Sequence, residues 1–464
     1  AVNLGHSNDA PATERNDIVS ESDNTLVRLV HSIIEEAIAQ GASDIHIETE
    51  PAPRHVRVRL RIDGNLRPYL DLQARFRFAL VARIKIMATL DISEHRKPQD
   101  GKIDFSRFGG PKVELRVATI PTHQGLEDVV LRVLASQKPL PLDGIGLSRD
   151  NLAQLRAAVR HSYGLILVCG PTGSGKTTTL YSLLQHDATP DKNYVTIEDP
   201  VEYYLDMAGQ VLVREKIGLT FPSVLRALLR QDPDVILLGE IRDFETAEVA
   251  FHAALTGHLV YSTLHTNSAV ATIARLFDLG LKPYVVASAL EGIIAQRLVR
   301  QVCPKCREAV AADPALRRRL GGDYAGIQQT FRGRGCTDCH GTGYKGRVAL
   351  YEVLAMDDEL RDCIGSGASV LEIRRKVRGK GLRGIGQHGL EKVQAGVTTL
   401  DEILRVRPQG AAAFERLRVG RPLRRQLEHH AVGRQRLEQR VRGELLSRLG
   451  LEEVPHRHVG DVEE

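Results

Sequence analysis

The chain contains the stretch Gly170-Pro171-Thr172-Gly173-Ser174-Gly175-Lys176-Thr177-Thr178, whose first eight residues follow the pattern G-x-x-x-x-G-K-T. An apolar run precedes it at 165–168, and helical spacing follows over 178–184. A strand, a glycine-rich loop and a helix in this order are typical of a phosphate-binding loop, in which backbone N–H groups surround anionic oxygens. The Lys176 ammonium is expected to face the β and γ phosphates, and the Thr177 hydroxyl to bind Mg²⁺. Residues 170–178 are therefore predicted to hold a nucleotide.

Length and composition indicate a soluble protein of several domains. The 464 residues correspond to about three domains. No apolar run reaches the roughly 18 residues needed to cross a bilayer, and residues 1–24 lack the apolar core of a signal peptide. A net charge of +5, from 63 basic and 58 acidic residues, is too balanced to indicate nucleic-acid binding. We therefore expect a cytoplasmic protein, or one peripheral on a membrane, that does not bind nucleic acid.

Residues 25–136 carry the pattern of a small α/β domain. Helical spacing begins at Thr25 and ends at Gly41, and a second helix is predicted over 76–90. The predicted strands lie at 43–48, 56–62, 102–105 and 113–118. Residues 1–24 show no periodicity and are expected to be disordered or a linker. Because the chain does not begin with Met, we expect it to be a fragment.

The nucleotide-binding loop belongs to a predicted domain at 151–302, preceded by a proline-rich interdomain linker at 137–150. Strand patterns at 165–169, 194–197, 235–238 and 259–262 alternate there with helical stretches. This alternation predicts a largely parallel sheet that is covered on both faces. Such sheets bind ligands at the carboxyl ends of their strands.

Three side chains at those strand ends have the chemistry that nucleotide hydrolysis needs. Glu240 follows the strand at 235–238 and is placed to orient or deprotonate the attacking water. Glu198 follows the strand at 194–197 and could supply a carboxylate on the metal side. His265 follows the strand at 259–262 and could donate to a γ-phosphate or sense its loss. The alternatives are a surface glutamate at 240 and a purely structural histidine at 265.

Four of the six cysteines form two C-x-x-C pairs separated by 29 residues, and they are Cys303, Cys306, Cys336 and Cys339. Two such pairs predict a closed tetrahedral Zn²⁺ site of four thiolates. The segment between the pairs shows no pattern of a packed element, so the metal is expected to stabilise it. Cys336 to His340 also spells C-x-x-C-H, the attachment pattern of haem c, but that chemistry requires export and would leave the first pair unused. Cys169 and Cys363 are expected to be packing residues.

Several blocks resemble the secretion ATPases of type II secretion and type IV pilus assembly. The blocks similar to the Walker A motif, Asp box, Walker B motif and His box of that family lie at 170–181, 196–203, 229–243 and 256–267. Residues 43–46 and 61–64 resemble its N-terminal domain, and the likeness extends from about Leu26 to Val406. It implies an α/β fold with a RecA-like P-loop domain, a smaller PAS-like N-terminal domain, a tetracysteine module at 303–347 and a helical part at 348–407.

The resemblance also implies an activity and partners. Members of the family are hexamers that bind ATP between the two domains, and their motion drives assembly of a pseudopilus or pilus on an inner-membrane platform. It implies ATP, Mg²⁺ and Zn²⁺ as ligands, a homohexamer, and a cytoplasmic location at the inner membrane. Arg116 and Arg132 look like the arginines that reach the phosphates, although the segment between them carries one residue more than the family, at 125–128. Guanidinium groups suit this task because they bind phosphate at two points.

Some interpretations stay open from the sequence alone. Residues 408–464 do not resemble the family and are expected to be an accessory helix, or a frameshifted or readthrough extension. A RecA-like nucleic-acid translocase and a nucleotide-gated scaffold without useful turnover are the alternatives to a motor. The weak net charge argues against the translocase, and the complete set of site residues argues against the scaffold.

Overall fold

The structure, a computed structural model, describes residues 24–51, 55–134, 140–186, 188–314 and 327–406. The expectations for residues 1–23 and 408–464 lie outside the described residues. The described residues form two compact units, the first ending at 134 and the second beginning at 140. Among the described helices, none is long and apolar enough to span a bilayer.

The first unit has two helices and a six-stranded sheet. The helices are α1 (Asn24–Ala39) and α2 (Arg77–Met87). The strands are β1 (Ala42–Thr49), β2 (Val56–Ile62), β3 (Asn65–Leu72), β4 (Gln99–Asp104), β5 (Glu114–Pro121) and β6 (Glu127–Leu134). They pair antiparallel throughout, in the order β3-β2-β1-β6-β5-β4.

The apolar periodicity of the sequence determines which faces of this unit are buried. Leu26, Leu29 and Ile33 recur at helical spacing, and all three are buried on α1. On β2, Val56, Val58 and Leu60 are buried while the arginines between them point to the other face. The core therefore lies between the helices and one face of the sheet, and the other face carries the charges.

The second unit is built on a seven-stranded sheet. Its strands are β7 (Gly164–Cys169), β8 (Tyr194–Glu198), β9 (Ala208–Leu212), β10 (Val235–Leu238), β11 (Leu259–Leu264), β12 (Leu290–Val302) and β15 (Tyr344–Ala355), with β13 (Arg307–Ala311) and β14 (Gln329–Gly333) forming a separate pair. The order is β15-β12-β7-β11-β10-β8-β9, in which only β15 runs antiparallel to its neighbour.

Helices cover both faces of this sheet. They are α3 (Arg149–Val159), α4 (Lys176–His186), α5 (Phe221–Leu228), α6 (Phe244–Leu255), α7 (Ala269–Asp278), α8 (Pro283–Ala289), α9 (Asp358–Gly365), α10 (Val370–Gly379), α11 (Ile385–Gln394) and α12 (Leu400–Val406). Successive residues of β7 belong to two different cores, with Leu165 and Leu167 on one side and Ile166 and Val168 on the other. The predicted parallel sheet with two covered faces is confirmed.

Two stretches differ from what their sequence indicated. Leu142 and Ile145, within the stretch predicted to be a linker, are buried in one core of the second unit. The expectation of no packed element between the cysteine pairs is wrong, because β13 and β14 pair antiparallel there. Both strands are five residues long, and so short a segment gives little periodicity to detect.

His388 on α11 makes the stability of the second unit dependent on pH. The residue is 3% exposed, and its Nδ1 accepts a hydrogen bond from the Tyr351 N–H at 3.0 Å. Burial, with a contribution from Lys392, lowers the pKa of His388 to about 4. The unfolded chain then takes up a proton below its usual pKa of 6.5, whereas the folded chain does not until about pH 4.

We expect the free energy of unfolding to fall by about 2 kcal/mol between pH 7 and pH 5 because of His388. Urea unfolding at the two pH values measures it. The variant His388→Gln should lose this part of the pH dependence, and His186→Gln, at an exposed position, should retain it. An identical pH dependence in wild type and His388→Gln would rule out His388 as its source.

Candidate functional site

The glycine-rich loop lies between β7 and α4, at the carboxyl edge of the sheet. A Cβ at Gly170 would lie 2.6 Å from the carbonyl oxygen of Gln296 on β12, so the loop needs a residue without a side chain there. Gly175 has a φ of 86°, in the left-handed region that favours glycine. These two constraints hold the loop against the sheet just before α4 begins at Lys176. The first N–H groups of α4 therefore point out at the loop, as in anion sites at helix N-termini.

The loop provides both a cation and a polar group suited to phosphate. Lys176 Nζ donates to the carbonyls of Gly170 and Pro171 at 3.0 and 3.3 Å, so the ammonium lies across the loop. Burial lowers the pKa of Lys176, while the negative charge of Glu240 acts in the opposite direction. The Ser174 hydroxyl is buried and has no hydrogen-bond partner among the described residues. A buried hydroxyl of this kind needs a partner, and a phosphate oxygen would provide one.

Glu240 and His265 come together at the same edge. Glu240 follows β10, where the Gly239 N–H donates to the Ile197 carbonyl at 2.8 Å. Its Oε2 lies 3.3 Å from Nε2 of His265, which follows β11, and its Oε1 accepts from Nη2 of Arg242. The glutamate side chain is only 16% exposed. Both carboxylate oxygens therefore have a partner, and the group is held in place from two sides.

Glu198 ends β8 at this edge, but its carboxylate has partners elsewhere. Its Oε2 accepts from the Tyr181 hydroxyl, and its Oε1 accepts from Thr196 and Gln210 at 2.7 and 3.1 Å. The residue is buried. The structure thus brings Glu240, His265 and Lys176 into one electrostatic group, and it places Glu198 in a hydrogen-bonded cluster of its own. A role for Glu198 at the metal remains a prediction.

Arg116 and Arg132 belong to the first unit, on neighbouring strands β5 and β6. They lie directly opposite each other in the strand register. Arg132 Nε donates to Oδ1 of Asp44 at 2.9 Å, and Asp44 also pairs with Arg61 at 3.5 Å. The arginine itself is largely exposed. The unit thus presents two adjacent guanidinium groups on its charged sheet face, and their contact with a phosphate remains a prediction.

The four predicted zinc ligands converge. The Sγ atoms of Cys303, Cys306, Cys336 and Cys339 all lie within 4.8 Å of one another. Individual separations are 3.8 Å for Cys303–Cys336 and for Cys306–Cys339, and 3.7 Å for Cys336–Cys339. Zinc–sulfur bonds of about 2.3 Å in a tetrahedron place the sulfur atoms about 3.8 Å apart. The donor set and its spacing therefore fit Zn²⁺.

The surroundings of Cys339 favour its thiolate, whereas burial raises the pKa of Cys303 and of Cys306. Burial would raise the pKa of Cys339, but N–H groups of Cys336 and Gly343, at 3.2 and 3.3 Å from its sulfur, outweigh this and lower the pKa to about 7. Lys305, within the first cysteine pair, binds Asp338, within the second, at 3.2 Å, and Lys345 binds the same carboxylate at 2.9 Å. The first of these ion pairs links the two cysteine pairs.

Comparison with known proteins identifies the family. Residues 19–405 match the family described as Type II/IV secretion system protein. The chain belongs to this family. The Type II secretion system protein E of Pseudomonas aeruginosa is 46% identical over 413 residues, which are 88% of this chain and 81% of that protein. The Type IV pilus assembly ATPase PilB of Thermus thermophilus is 47% identical over 380 residues, which are 81% of this chain and 42% of PilB.

A solved structure supports the fold. The crystal structure of the pilus retraction motor PilT with bound ADP is 29% identical and has a TM-score of 0.56, over 82% of this chain and 96% of that one. The predicted resemblance to secretion ATPases and the predicted α/β fold class with its RecA-like domain are both confirmed. The domain boundaries stay predictions.

Three contacts of this secretion-family site have no clear signature in the sequence. Arg242 lies two residues after Glu240, and that proximity is the only signal of its ion pair. Gln296 and Arg297 approach the phosphate-binding loop from β12, more than 100 residues further along the chain. In the structure, β12 pairs with β7 and lies beneath the loop. Sequence periodicity does not show this, because pairing between distant strands leaves no local pattern.

Proposed function

We propose that this chain hydrolyses ATP with Mg²⁺ and uses the free energy to drive assembly of a type II secretion pseudopilus or a type IV pilus. The observation that carries this proposal is the meeting of Lys176, Glu240 and His265 at one edge of the sheet. A phosphate-binding cation and a carboxylate that can accept a proton from water are two of the parts that nucleotide hydrolysis uses. The names of the relatives, a secretion system protein E and a pilus assembly ATPase, support assembly of a pseudopilus or pilus as the process that hydrolysis drives.

Each residue of the site has a chemical task. Lys176, Ser174 and the N–H groups of the loop hold the phosphates, and Thr177 would hold Mg²⁺, which neutralises phosphate charge when bound. Glu240 accepts a proton from the attacking water as the water oxygen bonds to the terminal phosphorus. The bond from that phosphorus to the bridging oxygen breaks, giving ADP and phosphate. His265 contacts Oε2 of Glu240, so that the carboxylate keeps one orientation.

We assign the hexamer, the two arginines and the zinc module roles outside the single nucleotide site. A homohexamer at the cytoplasmic face of the inner membrane, bound to platform proteins there, would convert hydrolysis into movement. In such a ring Arg116 and Arg132 would reach the phosphates, and their adjacent guanidinium groups suit the charge of a nucleotide. Zn²⁺ held by the four cysteines would stabilise the module at the end of β12. No nucleic acid takes part in this function.

Turnover of ATP by the purified chain, with and without DNA, tests the proposal. We expect Mg²⁺-dependent hydrolysis that DNA changes by less than twofold, with Lys176→Ala as the inactive reference. Strong stimulation by DNA would instead indicate a nucleic-acid translocase. Turnover no higher than that of Lys176→Ala would indicate a scaffold that binds the nucleotide without using it.

A further inference from the structure

Arg297 on β12 is a buried cation held almost entirely by neutral oxygens. The residue is 6% exposed. Its Nη1 donates to the Gln296 carbonyl at 2.8 Å, and its Nη2 donates to Oδ1 and to the carbonyl of Asn267 at 2.8 and 3.2 Å. Within the described part of the chain, no carboxylate lies within 4.0 Å of its guanidinium nitrogens. Glu352 acts on it only at longer range.

Burying the Arg297 guanidinium without an ionic partner costs free energy, which a side chain that only filled space would not incur. A buried charge normally needs an ionic partner, and burial lowers the pKa of Arg297 accordingly. An apolar side chain in the same place on β12 would avoid this cost. The fork geometry of the guanidinium, by contrast, can hold the main-chain and side-chain oxygens of one residue simultaneously. The contacts therefore indicate that the two oxygens of Asn267 are what the arginine is there to hold.

The segment held in this way contains His265. Asn267 lies two residues after His265 and directly precedes Ser268, whose hydroxyl accepts from the Ala271 N–H and caps α7. On the other side of Arg297, Gln296 supports the phosphate-binding loop: its carbonyl faces Gly170, and its side chain accepts from Thr179 of α4 at 2.8 Å. Arg297 thus joins the end of β11 to the strand beneath the loop.

We propose that Arg297, acting through Asn267, is a positioning residue that holds the segment 265–268 so that His265 stays beside Glu240. The inference rests on the proposed ATP hydrolysis. Arg297 acts by fixing the segment from which His265 reaches the carboxylate, whereas Lys176 and the loop supply the contacts with the nucleotide. Loss of the contact between Arg297 and Asn267 is therefore expected to lower the rate of turnover and to leave nucleotide affinity nearly unchanged.

Two variants separate this role from simple stability. Asn267→Ala removes Oδ1 at an exposed position, where loss of the fold is not expected. Arg297→Lys keeps the charge but cannot bind both oxygens as a fork. We expect each variant to lower kcat for ATP about tenfold, with KM within twofold of wild type, because displacement of a catalytic group costs rate more than binding. Ser369→Ala is the matched control, since it removes the hydroxyl that caps α10, outside the segment 265–268, and should lower the melting temperature without lowering kcat.

A double-mutant comparison with His265→Ala decides the mechanism. If Arg297 and Asn267 act through His265, then adding Asn267→Ala to His265→Ala should change kcat by less than twofold. A further tenfold loss in that background would overturn the proposal, as would an Asn267→Ala protein with wild-type kcat. Failure of the proposed function gives a different result, because the wild-type chain would then show no turnover to compare.

Discussion

Replacing Glu240 by glutamine is expected to lower kcat for ATP hydrolysis by about 10²–10⁴-fold, the usual contribution of a general base. Glutamine has nearly the same size and can still contact His265 and Arg242, so the loop geometry should be maintained. It carries no charge and cannot accept the proton of the attacking water. Because Lys176 and the glycine-rich loop are untouched, we expect affinity for a fluorescent ATP analogue to change less than about threefold. Single-turnover hydrolysis and equilibrium binding measure the two effects separately.

A second glutamine variant controls for the loss of one negative charge. Glu248 is exposed on α6, eight residues after Glu240, and Glu248→Gln should retain wild-type kcat. If Glu240→Gln were to hydrolyse ATP at the wild-type rate, the base would have to be another group. Glu198 would then be the next acid to test. Its three hydrogen bonds would have to rearrange before it could accept a proton from water.

The parts of the site that the sequence predicts are those with a local pattern. The phosphate-binding loop is one continuous stretch, and Glu240 and His265 each directly follow an apolar strand. A parallel sheet brings such strand ends to one edge, and the register confirms it, since Leu238 lies opposite both Ile197 and Ser262. Position along the chain was therefore enough to expect the two residues close together.

The sequence predicts which residues lie at the end of a strand, but it does not predict which partners their side chains contact. Glu198 also ends a strand at this edge, yet its carboxylate is engaged by Tyr181 and Gln210. These partners come from α4 and β9, and nothing in the residues around Glu198 indicates them. The same holds for Arg297, whose partner Asn267 follows a different strand. Such contacts depend on which distant elements become neighbours, and a single sequence contains little information about that.

The segment that carries the two cysteine pairs contains one feature that the sequence predicts and one that it does not. The spacing of the four thiols predicted their convergence, because paired C-x-x-C motifs have few other uses. The two strands between them have no such pattern. In the structure, β13 and β14 pair with each other, and Gly333 on β14 approaches Gly343 so closely that a Cβ there would lie 2.1 Å from its carbonyl oxygen. The module is thus formed by close backbone packing and the thiol cluster together, and only the thiols have a recognisable pattern.

Replacing Cys306 by serine is expected to abolish zinc binding and to unfold the module around β13 and β14. Apparent binding free energies of structural zinc are about 10–16 kcal/mol in small zinc-binding domains, so the metal outweighs what two five-residue strands supply by packing. We expect about one zinc per wild-type chain and much less than that in Cys306→Ser, measured by elemental analysis. Limited proteolysis should cut the variant within β13 or β14, which the wild type protects.

Cys363→Ser provides the control, because Cys363 is half-buried beside one core of the second unit and is not part of the thiol cluster. It should keep both the zinc content and the protection from proteolysis. Turnover measured on the same samples separates stability from catalysis, because the loop, Glu240 and His265 follow β7, β10 and β11, whereas the cysteines follow β12 and flank β13 and β14. A Cys306→Ser protein with full zinc content would contradict the four-thiolate site. One that lost zinc but kept the protected segment would show that backbone packing alone holds the module.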